Sequence, residues 1–76
     1  MSNKGDTMKA MTLKIGRRGQ IAVGSLAEAS RAYGAIRDDS GEGASTFPNG
    51  RVGKYRISYN GRVWDGDAVI QEAVYG

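Results

Sequence analysis

The clearest local signal in this 76-residue chain is a capped helix, and its flanks read mainly as β structure broken by glycine. Ser25-Leu26-Ala27-Glu28 fits a capping box. In it, Ser25 accepts from the third helical amide and Glu28 returns to the Ser25 amide. Leu26, Ala29, Tyr33 and Ile36 then follow at three- and four-residue steps, which gives one apolar stripe, with Arg31 and Arg37 off it. Ala27, Ala29, Ala32 and Ala35 favour helix, and Gly34 weakens it by about 1 kcal/mol. Asp38 and Asp39 oppose the negative end of the helix dipole, so the helix is expected to close near Arg37 and to exit at Gly41. One helix cannot bury its own stripe, so the flanking strands must form the layer beneath it.

The strand signals are alternations. Lys9, Met11, Leu13 and Ile15 share one side of a first run, and Ile21 and Val23 resume the pattern after Gly16-Arg17-Arg18-Gly19. That is a hairpin with two arginines at its tip. Tyr55-Arg56-Ile57-Ser58-Tyr59 and Arg62-Val63-Trp64-Asp65 flank Asn60-Gly61, the strongest short hairpin signal. With a two-residue turn there, Ile57 opposes Trp64 and Ser58 opposes Val63. Tyr55, Ile57, Tyr59 and Trp64 then share a core-like face, and Lys54, Arg56, Ser58, Val63 and Asp65 a wet one. Residues 38–53 show no sustained period and read as a long loop, pinned to the core by Phe47 beside the single Pro48. Residues 67–75 suit either a short helix capped by Asp67 or an edge strand, and the helix is the preferred expectation. The fold class expected is α+β: an antiparallel sheet of two hairpins, order β-β-α-β-β, with one main helix on one face. Residues 1–6 are expected as a mobile tail and 7–76 as a single domain.

Composition narrows the chemistry. The chain has no Cys and no His, which removes disulfides, thiolate metal sites and the commonest general base. Asp38, Asp39 and Glu42 lack the spacing of a calcium loop and read as solvated charge. The glycines form no phosphate-binding fingerprint. Ser25 is accounted for by capping and Ser58 by a strand face. No enzyme, metal or cofactor is expected. No apolar run is long enough to cross a bilayer, and the N-terminal residues lack the apolar stretch of a signal peptide. A cytoplasmic protein, monomeric or homodimeric, is the expectation.

The charges are distributed unevenly. Lys9, Lys14, Arg17 and Arg18 have no acidic neighbour, nor do Arg51, Lys54, Arg56 and Arg62, while the acids gather at 38–42 and 65–72. Hairpins that neighbour each other would line one side with positive groups, suited to phosphate or carboxylate. The ordinary alternative is edge protection, since exposed strand positions commonly carry Lys or Arg to stop aggregation. The aromatic residues are expected in the core beneath the helix, so that loss of Tyr33 or Trp64 unfolds the protein before it abolishes binding.

The hairpin, the capped helix SLAEASRAYGAIRDDSG and the hairpin YRISYNGRVWDG together resemble the small α+β anti-CRISPR proteins of phages and mobile elements that bind type I CRISPR surveillance complexes. The resemblance lies in element order and character over residues 9–65. It implies a stoichiometric inhibitor without cofactor, docking on the protein backbone or DNA-entry region of the complex and blocking DNA target binding. The candidate contacts are Lys14, Arg17, Arg18, Arg51, Lys54, Arg56 and Arg62. The alternative function is a small basic DNA- or RNA-binding module.

Overall fold

A computed structural model describes residues 11–74, so the expected tail at 1–6 lies outside the described residues. The strands are β1 (Met11–Ile15), β2 (Gln20–Val23), β3 (Gly50–Val52), β4 (Tyr55–Ile57), β5 (Val63–Asp65) and β6 (Ala68–Gln71), with α1 (Leu26–Ser40) between β2 and β3. They form one antiparallel sheet in the order β2-β1-β3-β4-β5-β6. The α+β class with one helix over an antiparallel sheet is as expected, with two strands more than the two hairpins alone.

The helix begins as its sequence dictates. Ser25 Oγ accepts from the Glu28 amide at 3.1 Å, but Glu28 reaches one residue further back than a standard box, to the Gly24 amide at 2.8 Å. The helix passes its expected end at Arg37 and runs to Ser40, where Gly41 turns left-handed. Its last turn is held by Ser40 Oγ, which donates to the Arg37 carbonyl at 2.7 Å. Ala29 and Tyr33 lie buried on the sheet beside Leu13, Ile15, Val23, Val52, Ile57 and Val63. Phe47 plugs the loop end of this core, edge-on to the rings of Tyr33 and Tyr59, as expected of a lone aromatic in that loop. Tyr33 crosses the core and donates to the Pro48 carbonyl at 2.8 Å. Burial raises its phenol pKa, with Arg37 acting against that shift and Tyr59 adding to it. Beneath the Tyr33 ring lies Gly50, where a Cβ would stand 2.9 Å from Tyr33 Cδ1 and 3.1 Å from Leu13 Cδ1. The bare backbone lets β3 pass under the helix.

Three expectations are corrected. Residues 50–52 are not loop but a central strand, paired with β1 on one side and β4 on the other. Residues 68–71 form strand β6, not a helix: Gly66-Asp67 makes a two-residue turn that sets Ala68 opposite Asp65, and the β-branched Val69 and Ile70 suit a sheet edge.

The third correction concerns the turn between β4 and β5. Ser58 N–H donates to the Arg62 carbonyl at 2.9 Å and Gly61 N–H to the Ser58 carbonyl at 2.8 Å, so the turn holds three residues, Tyr59-Asn60-Gly61, rather than two. Gly61 supplies the positive φ of +97° that a three-residue hairpin turn places at its last position. The pairing moves by one residue: Ile57 opposes Val63, and Arg56 opposes Trp64. A one-residue shift exchanges the faces, so Val63 goes fully into the core and Trp64 comes out of it.

Candidate functional site

Two helix side chains fix this turn. Arg37, expected off the buried stripe, is itself buried: its Nη1 donates to the Tyr59 carbonyl at 2.6 Å and its guanidinium lies 5.4 Å from the Tyr59 ring centre. Ser30, also buried, donates to the Gly61 carbonyl at 2.6 Å and accepts from the Val74 amide at 3.0 Å. Tyr59 closes the ring of contacts, donating from its hydroxyl to the Glu42 carbonyl at 2.7 Å. The helix therefore dictates the register of β4 and β5, and through it which side chains reach the opposite surface.

On that helix-free surface, residues directly opposite one another across the strands share a face. One row crosses the whole sheet: Gln20, Lys14, Arg51, Arg56, Trp64 and Val69, on β2, β1, β3, β4, β5 and β6 in turn. Lys14, Arg51 and Arg56 are thus immediate neighbours on three adjacent strands, with Cα spacings of about 5 Å. Among the described residues none of the three forms a salt bridge with a carboxylate. Thr12 and Ala22 form the adjoining pair on the same face, so no register-paired position of this surface is acidic. Next to Arg56 in the row stands the half-buried Trp64, whose ring centre lies 5.3 Å from the Arg56 guanidinium carbon and whose Nε1 donates to Ser58 Oγ at 3.0 Å. That hydrogen bond fixes the indole and satisfies its one polar atom.

Like charges directly opposed on a sheet oppose folding. Edge protection does not explain them, because the edge strands β2 and β6 carry no Lys or Arg at all. The cations occupy the centre of the sheet, where no free edge exists to protect.

The other candidates lie elsewhere. Arg18, at the β1–β2 turn, donates to Glu42 through Nη1 and Nη2, both at 2.7 Å, and packs its guanidinium 5.1 Å from the Phe47 ring centre. Its hydrogen bond holds the Glu42 carboxyl below its ordinary pKa, with desolvation opposing and the Arg18 charge assisting. Arg62, just past the β4–β5 turn, pairs with Glu72 at 3.2 Å. Arg17 is exposed at the tip between β1 and β2, and Lys54 sits in the β3–β4 turn with its ammonium 5.5 Å from the Tyr55 ring centre. The register puts the tip and the β4–β5 turn at one end of the sheet and Lys54 at the other. A cleft of about 540 Å³ opens at the Lys54 end, lined in part by Lys14, Arg51, Lys54 and Tyr55. Of the seven candidate residues, three meet in the row, Lys54 adjoins it through this cleft, Arg62 lies two residues before Trp64 and is paired with Glu72, and Arg17 and Arg18 sit at the β1–β2 turn.

Sequence reasoning missed Trp64 as a surface residue, and Ser30 and Arg37 as the groups that put it there. The acids Asp38, Asp39 and Glu42 lie on the helix side, and among the described residues no group of three potential ligands is placed to hold a metal ion. No described helix is long and apolar enough to cross a membrane. The chain matches no family model, no curated protein and no solved structure.

Proposed function

We propose that this protein is a non-catalytic nucleic-acid-binding module that works through the helix-free face of its sheet. The observation that carries the reading is the row of Lys14, Arg51 and Arg56 on adjacent central strands, without acidic partners among the described residues and flanked by Trp64. Three cations held side by side against their own repulsion become favourable when a polyanion lies across them, because phosphate contacts release condensed counterions. Arginine adds bidentate geometry suited to phosphate oxygens.

The test is fluorescence anisotropy with labelled oligonucleotides over a salt series. Contacts to three phosphates give a log–log slope of about −2 to −3. Arg51→Glu and Arg56→Glu should each weaken binding strongly, whereas Arg17→Glu with Arg18→Glu should change it little. Absence of binding to any oligonucleotide at low salt would overturn the reading.

A second reading is favoured by Arg17, which stands exposed at the tip without an ion pair among the described residues. It is the inhibitor implied by the resemblance, docked on a type I CRISPR surveillance complex. Capture of Cas proteins that survives nuclease treatment and is lost in the Arg17→Glu, Arg18→Glu double variant would support it over direct nucleic-acid binding.

A further inference from the structure

We infer that the ligand of this face is single-stranded nucleic acid, laid across the strands with a base stacked on the Arg56–Trp64 pair and its backbone running over Arg51 and Lys14 toward the cleft at Lys54. This rests on the nucleic-acid reading above and adds to it the form of the nucleic acid and its path.

Shape is the first argument. Among the described residues the six-stranded sheet presents a broad surface with no helix projecting from it, whereas the duplex major groove admits a helix or a two-stranded ribbon. A duplex could meet this face only through phosphates, and its paired bases would offer nothing to an indole. The second argument is the makeup of the row. Trp64 stands at one end and three cations follow in line, over about 14 Å at ordinary strand spacing. An aromatic platform beside a positive track is the arrangement that binds unpaired strands, since every base has a stacking face and every linkage a phosphate. The guanidinium of Arg56 over the Trp64 ring extends the platform, because bases stack on guanidinium planes as well as on rings. Ser58 fixes the indole in advance, so little side-chain freedom is lost on stacking.

At the other end the cleft continues the track. It shares Lys14 and Arg51 with the row and adds Lys54, while Val52 and Tyr55, paired on the helix side of the sheet, form its apolar wall. Its volume, about 540 Å³, lies within the range of small-ligand pockets. The cationic track therefore runs from the Arg56–Trp64 pair through Arg51 and Lys14 into the cleft.

Trp64 is the only tryptophan, so its fluorescence reports on this site alone. The experiment measures binding of a labelled single-stranded decamer, as oligo-dT and as oligo-U, against a ten-base-pair duplex at one low salt concentration. Both single strands are expected to bind at least about tenfold more tightly than the duplex and to quench Trp64 with the same midpoint as the anisotropy change. Trp64→Ala is expected to lose roughly tenfold in affinity for them, while Trp64→Phe, which keeps a ring, retains most of it. Far-UV circular dichroism checks that both variants are folded. Equal or tighter duplex binding would overturn the inference, as would a Trp64→Ala protein that binds normally while Arg51→Glu does not. Either result leaves the broader nucleic-acid reading standing. Failure of every oligonucleotide to bind removes both.

Discussion

The two faces of the sheet obey opposite rules. On the helix side, Leu13, Val52, Ile57 and Val63 meet Ala29, Tyr33 and Phe47, and the polar atoms that enter are matched: Tyr33 to Pro48, Ser30 to Gly61 and Val74, Arg37 to Tyr59. On the far side, Lys14, Arg51 and Arg56 are placed where each worsens the position of the next. The first face is arranged for folding. The second holds an arrangement that folding alone would not choose, and positions of that kind concentrate where a protein meets its ligand.

The comparison breaks most sharply at Tyr33. Tyr33→Ala should cost about 3–5 kcal/mol, enough to abolish the cooperative thermal transition in a domain this small. The same residue gives a pH signature. Its phenol pKa is raised in the fold, so its contribution is intact below the ordinary value of 10.0 and is lost as pH rises through the folded value. A melting series above pH 10, set against Tyr33→Phe, checks it.

A smaller effect is expected at the join between the faces. Ser30→Ala leaves the Gly61 carbonyl and the Val74 amide without their partner and should cost about 1–3 kcal/mol in denaturant unfolding. It should also loosen the turn that sets Trp64, seen as a shift in Trp64 emission. If emission is unchanged, Ser30 supports the core but does not hold the register.

Arg51→Glu sharpens the comparison, because stability and binding should move in opposite directions. A carboxylate at 51 faces Lys14 and Arg56 as an attractive neighbour, worth roughly 0.2–1 kcal/mol per pair. The melting temperature should rise by a few degrees while oligonucleotide affinity falls. A variant that is destabilised would show that the row is not under repulsion.

The smallest effect belongs to Arg18→Ala. Its pair with Glu42 is exposed, so stability near neutral pH should fall only slightly. By NMR, the Glu42 carboxyl should return to its ordinary titration range. In the parent protein that pKa is depressed, so the pair's contribution is present above the ordinary carboxylate value and fades as pH falls through the lower folded one.

What could be read along the chain was what is local. Capping at Ser25, the Tyr33 stripe, the Gly41 exit and the Phe47 plug rest on residues a few positions apart, and the structure has them. Strand β3 could not be seen in that way: three residues carry no period, and they are a strand because β1 and β4 flank them. A signal was nonetheless present. Gly53-Lys54 between Val52 and Tyr55 is a two-residue turn, as is Gly66-Asp67 between Asp65 and Ala68. The length of the Asn60-Gly61 turn had no local signal that decided it, because Arg37 and Ser30, more than twenty residues earlier, clamp its carbonyls. So the basic residues of the site were visible as residues, their adjacency only in part, and Trp64 was assigned to the wrong face.

The Tyr59-Asn60-Gly61 corner also bears on how such a molecule can diversify. Removing one position from that exterior bend would swap valine for tryptophan on both sides of β5 at once, with no change to any strand residue. Length variation at a single corner is therefore a route by which descendants of this chain could gain or discard an exposed indole beside the cations in one step.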